Sequence, residues 1–358
     1  MGRSPDRARP LLSLVLENIG KSLGGRPILT DISFTVEPHE VVALLGASGS
    51  GKSTLLRLIA GLETVDSGEI RFGGASWSRP GFTRAPELRK IGFVFQDFAL
   101  FPVMNLARNV GFGLDTNALA QERTIAAWLE RVGLAGREKE LPHRLSGGEQ
   151  QRAALARALA PNPALILLDE AFSNLDPALR WRLRNQTLQI IRETGAPTLL
   201  VTHDREDALI AADRVAILQS GRLVQIGSPA EIYDRPNSLA AAYALGPVNE
   251  VEARLLNGRA ETAFGSFPVI QTTGYDRAIL AVRPEHLQIT ASVENASCIV
   301  VRSHRQGGNW HATLRPATQS GPYWSLTGPK MAPNDAISVA IKPENVMIFA
   351  SESPISTR

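Results

Sequence analysis

The segment VVALLGASGSGKSTLLRLIA constrains this chain more than any other. An apolar run, Val41–Leu45, reads as a buried strand, and Lys52–Ala60 reads as a helix with regularly spaced leucines. Between them lies a glycine-rich loop in which Gly46, Gly51, Lys52 and Ser53 keep the spacing G-x-x-x-x-G-K-[ST], with Thr54 following. Glycines let the backbone of Gly46, Ala47, Ser48, Gly49, Ser50 and Gly51 wrap around phosphate with its amides inward. The Lys52 ammonium then neutralises the terminal phosphates, and the Ser53 hydroxyl offers one site to Mg²⁺. A plain glycine–serine turn ahead of an amphipathic helix would look similar locally. The strand–loop–helix context and the lysine favour binding of a nucleoside triphosphate.

Two more apolar runs end in polar side chains. Ala164–Leu168 leads into Asp169 and Glu170, and Thr198–Thr202 leads into His203 and Asp204. In open α/β sheets, ligands bind at the carboxyl ends of the strands, so these residues are expected beside the phosphate loop. Asp169 is suited to hold Mg²⁺, and Glu170 to orient or deprotonate the attacking water. His203 is either a satisfied structural histidine or a contact to the γ-phosphate; its place at a strand end favours the contact.

The alternation of short apolar runs with helical patterns predicts an α/β unit with a largely parallel sheet over residues 1–245. Residues 97–160 read as a helical insertion, with Ile125, Trp128, Leu129 and Val132 on one face. GSPAEIYDRPNSLAAAYALGPV reads as a connector rich in turn residues. Residues 246–358 carry short strand-like runs separated by Gly, Pro and Asn, predicting a small all-β domain. Within it, VRPEHLQI and IKPENVMI are alike, which suggests an internal duplication.

Composition excludes several classes of function. The formal charge of +3 is spread along the chain, which argues against nucleic acid as a partner. The single cysteine, Cys298, rules out an intramolecular disulfide and suits a reducing compartment. The apolar run after the basic start breaks at Glu17 without a small-residue cleavage site, so no signal peptide is expected. No stretch approaches ~18 apolar residues, so a soluble cytoplasmic protein is expected.

Five motifs in order, GASGSGKST, FQDFALFP, LSGGEQQR, LILLDEAFSNLD and VTHD, resemble the ATP-binding subunits of ATP-binding cassette (ABC) transporters, and the likeness covers residues 12–245. It implies a phosphate-loop ATPase fold with a helical subdomain, acting on ATP with Mg²⁺. It implies that Gln96 reaches the metal and the attacking water, and that Ser173, Asn174, Leu175 and Asp176 cross towards a second copy; read alone, Asp176–Pro177 would be a helix cap. It further implies a head-to-tail homodimer in which Leu145, Ser146, Gly147, Gly148, Glu149 and Gln150 of one copy close over ATP held by Lys52 of the other. Ser146 and Gly148 are expected to meet the γ-phosphate.

Two departures from the family pattern stand out. Leu23 occupies the hairpin position where an adenine-stacking aromatic is usual, and Ala171 stands where proline usually follows the carboxylate pair. The tail resembles the OB-like regulatory domain of importers for sugars, polyamines, sulfate or ferric iron, with the overall look closest to the ferric iron branch. That domain either braces the dimer or senses solute. The resemblance implies two membrane-spanning permease subunits and, indirectly, a solute-binding protein. A soluble cassette ATPase acting on ribosomes or DNA is the alternative of another class, disfavoured by the single phosphate loop and the lack of a long heptad run.

Overall fold

The computed structural model describes residues 12–173, 177–270, 276–290, 296–317 and 322–351, with the backbone alone for 177–179. The chain divides into two compact units between Pro229 and Ala230.

The first unit holds two sheets. One is antiparallel, in the order β2-β1-β4-β5-β6, built from β1 (Leu14–Leu23), β2 (Arg26–Val36), β4 (Ser67–Phe72), β5 (Ala75–Arg79) and β6 (Phe82–Thr83). The other runs β11-β10-β3-β9-β8-β7, from β3 (Val41–Leu45), β7 (Ile91–Val94), β8 (Leu165–Asp169), β9 (Thr198–Thr202), β10 (Arg214–Gln219) and β11 (Arg222–Gly227). It is parallel except for its edge strand β11, which pairs with β10 in antiparallel register. The sequence pattern anticipated this second sheet but not the first: the alternating polar residues of β1 and β4 mark strands with one covered face, and only long-range pairing reveals them as a sheet.

Helix α1 (Lys52–Ala60) fills the space between the two sheets. Its Leu55, Leu56, Leu58 and Ile59 are fully buried in one core with Leu16, Ile32, Leu44 and Leu167. The helix stops at Gly61, which turns left-handed at φ 81°. Its last carbonyls are met by Arg89, a buried side chain that donates to Leu58 O and Ile59 O and lies over the Trp77 ring.

The insertion contains α2 (Leu106–Gly111), α3 (Ala118–Arg131) and α4 (Gly147–Leu159), packed around Leu106, Val110, Leu129, Val132 and Leu145. Ile125 and Trp128 lie against this cluster half-buried, so the predicted face is the packed one. Helices α5 (Pro177–Thr194) and α6 (Arg205–Ala211) complete the α/β layer.

The expected turn-rich connector instead forms two short helices, α7 (Pro229–Asp234) and α8 (Leu239–Leu245). Pro229 opens the first, a position that needs no amide donor, and the Ser238 side chain caps the second by accepting from the Ala241 amide. These residues are helix-start signals as well as turn formers, which is why composition alone misread them.

The second unit has two five-stranded sheets, β14-β13-β12-β15-β21 and β16-β20-β17-β18-β19. Their strands are β12 (Asn249–Leu256), β13 (Arg259–Thr262), β14 (Gly265–Pro268), β15 (Arg277–Val282), β16 (Leu287–Thr290), β17 (Cys298–Gln306), β18 (Asn309–Pro316), β19 (Trp324–Gly328), β20 (Ala336–Ile341) and β21 (Met347–Ala350). The core is centred on Trp324, stacked at 4.0 Å on Phe264, and Cys298 is buried in it. The two similar octamers have a structural counterpart. VRPEHLQI carries the chain from β15 to β16 through a 3₁₀ turn at Pro284–His286, and IKPENVMI carries it from β20 to β21 through one at Pro343–Asn345. Each crosses from one sheet to the other, in opposite senses, so that β15 pairs antiparallel with β21 in one sheet and β16 with β20 in the other.

Candidate functional site

Four parallel strands, β3, β9, β8 and β7, deliver their carboxyl ends to one edge of the sheet. That edge collects the phosphate loop after β3, His203 after β9, Asp169 and Glu170 at the end of β8, and Gln96 just beyond β7. Residues far apart in sequence thus meet because parallel register aligns strand ends.

The loop geometry explains its glycines. A Cβ on Gly46 would lie 2.3 Å from Leu218 O, and Gly51 has φ +104° with Leu29 Cδ2 2.7 Å from a would-be Cβ. Gly49 is also left-handed, at φ +80°. Gly51 precedes α1 without any side-chain cap, and the helix has no acid in its first turn. Its N-terminal amides therefore remain available to an anion. Lys52 is 5 % exposed and its ammonium donates to Gly46 O at 2.8 Å and Ala47 O at 2.9 Å. Burial pushes its pKa down, while Glu170 and Asp169 pull it back up. Ser53 and Ser48 are exposed and Ser50 is buried.

Asp169 is half-buried with its Oδ1 fully covered and without a hydrogen-bond partner. Burial, and then the Glu170 charge, raise its pKa; the Lys52 ammonium and the Ser53 hydroxyl temper the rise. Beside it, Glu170 adopts φ 45°, held there by its N–H, which donates to Val201 O, and by Ser173, whose amide and hydroxyl both donate to Glu170 O. One carboxylate oxygen of Glu170 is shared: Gln96 Nε2 donates to it at 3.1 Å, and His203 Nδ1 lies 3.2 Å away. Gln96, Glu170 and His203, each predicted separately, therefore form one constellation.

Two arginines that sequence reasoning missed hold this edge together. Arg180 of α5 donates to Asp204 at 2.9 Å and to Ser173 O at 3.1 Å, joining the residues that follow β8 and β9. Arg157 of α4 donates to Phe98 O and Ala99 O, just beyond Gln96, and lies over the Phe101 ring. Their partners, one carboxylate and otherwise backbone carbonyls, lie 7 to 59 positions away, which no local pattern signals.

The segment Leu145–Gln150 opens α4 elsewhere in the unit. Leu145 is buried in the helical core and Gln150 Nε2 donates to Pro142 O and Leu145 O, so the loop is anchored from within. Ser146 and Gly147 are exposed, whereas Gly148 is buried. Of the two glycines, Gly147 is the one open to solvent in the single chain. A Cβ on Gly147 would meet nothing within 4 Å, and Gly147 is not among the left-handed residues. Nothing among the described residues demands a glycine there. Leu23 sits at the exposed end of the β1–β2 hairpin, 46 % exposed. Asn174, Leu175 and Asp176 lie outside the described residues.

The family model for the ABC transporter matches residues 29–173. The chain is 42% identical over 277 residues to the Fe(3+) ions import ATP-binding protein FbpC 2 of Pectobacterium atrosepticum, covering 77% of this chain and 80% of that protein. It is 42% identical over 310 residues to FbpC 3 of Rhodococcus jostii, covering 86% and 89%. This chain belongs to the ABC transporter ATP-binding family. The fold of the ABC unit is also that of the ATP-binding cassette MJ0796, solved as a dimer in a post-hydrolysis state bound to ADP and Pi. The TM-score is 0.54 at 29% identity, over 60% of this chain and 98% of that one. As an ABC ATPase, the chain hydrolyses ATP. None of its described helices is long and apolar enough to cross a membrane.

Proposed function

We propose that this chain is the ATPase subunit of a ferric iron importer, working as a head-to-tail homodimer on two membrane-spanning permease subunits at the cytoplasmic face. A solute-binding protein delivers the iron, and the chain itself touches only ATP and its protein partners. The names of the similar iron-import proteins support the cargo. The dimeric state of the similar cassette supports the assembly.

The observation that carries the mechanism is the separation of two half-sites. Lys52, Asp169, Glu170, His203 and Gln96 share one sheet edge, while Ser146 and Gly147 are presented, exposed, from the start of α4. A phosphate loop that already has its lysine gains nothing from a second anion-binding turn in the same chain. It gains a lid if that turn comes from another copy, and an uncrowded glycine is what close approach by a phosphate requires.

In this reading the loop amides and Lys52 bind the β- and γ-phosphates. Glu170, held by Gln96 and His203, accepts a proton from water as the water oxygen bonds to the γ-phosphorus and the bond to ADP breaks. His203 also contacts the γ-phosphate. Asp169, Ser53 and Gln96 supply oxygens that fit Mg²⁺, and the buried Oδ1 of Asp169, with no hydrogen-bond partner, has the chemistry of a ligand to it. Bound there, Mg²⁺ would supply charge that offsets the phosphate oxygens. Ser173 lies near the partner's site in this reading. Loss of the γ-phosphate removes what joins the copies, so the dimer opens.

A mixed dimer tests the shared site. Pairing a Lys52→Ala copy with a Ser146→Arg copy places both lesions in one composite site and leaves the other whole, so about half the wild-type turnover is expected. Two equally impaired sites would refute it. For the cargo, reconstituted transporter should be stimulated by its binding protein loaded with ferric ion; equal stimulation by spermidine, maltose or sulfate carriers would refute iron.

A further inference from the structure

Glu149 stands three residues after Ser146, in the turn that the proposed dimer presses against ATP. A carboxylate is a poor neighbour for a polyanion, and its local bonds sharpen the conflict. One oxygen of Glu149 accepts both the Ser146 amide and the Ser146 hydroxyl, each at 2.8 Å. The hydroxyl has a single proton, so Glu149 and a phosphate oxygen compete for it.

The other Glu149 oxygen is taken by Arg137 Nη1. Arg137 lies in the turn between α3 and α4, and its remaining nitrogens grip Glu140: Nε donates to Oε1 at 2.9 Å and Nη2 to Oε2 at 2.6 Å. One guanidinium thus bridges two carboxylates. Without it, Glu140 and Glu149 would repel each other and carry net negative charge into the loop. Arg144 and Arg152 act on the pair only through space. These bonds lower the Glu140 and Glu149 pKa values, chiefly through Arg137 for the first and the Ser146 amide for the second, so both are ionised at neutral pH.

We infer that Arg137 is a positioning residue for ATP-dependent closure: by neutralising Glu149 it lets the Ser146 hydroxyl turn from the carboxylate to the partner's γ-phosphate. This rests on the reading that Ser146 meets ATP across the dimer. The inference assigns Arg137 a role through charge, acting on KM for ATP and on dimer closure more than on the chemical step.

The test is steady-state ATPase activity of the full-length protein, with nucleotide-dependent dimerisation followed by light scattering. Arg137→Gln should raise KM for ATP by about three- to fivefold, the scale of a partly exposed ion pair, with kcat at saturation less affected. Arg137→Lys should recover part of the loss, and Glu149→Gln in the Arg137→Gln background should restore KM, because the charge to be neutralised is gone. The defect should also shrink as added salt screens the carboxylates. If Arg137→Gln has no effect, or if its defect persists with Glu149→Gln and at high salt, the inference falls and Arg137 is a packing residue. Ser146→Arg separates the two readings: unchanged hydrolysis in that variant would overturn the dimer-site reading itself, whatever Arg137 does.

Discussion

Asp169 shows at the scale of one residue how a carboxylate suited to a charged ligand burdens the fold without one. Its Oδ1 is covered and unpartnered, and burial raises its pKa above the usual carboxylate value of 3.8. The linkage has a definite sign. A carboxyl whose folded pKa is raised adds stability that is complete below the unfolded value and is lost as pH climbs through the folded one. At neutral pH the ionised group therefore costs stability. Asp169→Asn should melt higher than the wild type at pH 7 without nucleotide, by on the order of 1 kcal/mol or about 2–4 °C. Lys52 keeps Glu170 as a counter-charge in that variant. The gain should fade as pH drops towards the carboxylate range, and ATP hydrolysis should be lost at every pH. Calorimetry across pH checks this; a variant less stable than the wild type at pH 7 would contradict it. Asp169, Glu170 and His203 were legible in the sequence because they end or follow apolar runs that become strands, and Lys52 because a glycine-rich loop of fixed spacing leads to it. Arg180 and Arg157 were not, because the Asp204 carboxylate and the backbone carbonyls they hold are brought near only by the fold.

Helix α4 carries the clearest conflict between stability and function at the scale of an element. Its first residue, Gly147, has room for a methyl group and no left-handed backbone to accommodate. Ala there should therefore stabilise the free protein, by up to about 1 kcal/mol from helix propensity alone. The same methyl group would stand where the proposed partner's phosphate approaches. Gly147→Ala is expected to raise the melting temperature while lowering ATP turnover, a combination that a structural glycine could not give. Gly51→Ala should instead lower both, since its Cβ would strike Leu29 and its φ is +104°. The elements most readable in sequence were those with one uninterrupted environment. Val41–Leu45, Lys52–Ala60 and Thr198–Thr202 form as read, because strands buried on both faces and a helix buried between sheets show plain apolar runs. The antiparallel sheet and the helices α7 and α8 were obscured because their residues serve two environments. The octamer likeness in the tail was real at the level of elements: both copies turn a strand through Pro into the opposite sheet.

At the scale of the whole chain, two cores imply two thermodynamic accounts. The first unit buries α1 between its sheets, and the second gathers its own core around Trp324. Nucleotide binds one of them, and binding stabilises only the fold that binds. ATP with Mg²⁺ at about 100 times its dissociation constant should add about 2.7 kcal/mol to the first unit. The second has a separate lever in Arg283, which is 1 % exposed. It donates to Tyr233 O, Ala242 O and Pro247 O and lies 4.1 Å from the Tyr233 ring centroid. Arg283→Met removes those charge-assisted bonds and leaves carbonyls without their donor, at a cost of about 2–3 kcal/mol to that unit. Scanning calorimetry of the wild type and of this variant, with and without nucleotide, should resolve the two. The variant should depress one transition that nucleotide does not raise, and nucleotide should raise another that the variant does not depress. Transitions that shift together under both changes would mean that the chain unfolds as a single cooperative body, with ATP's stabilisation reaching the β unit.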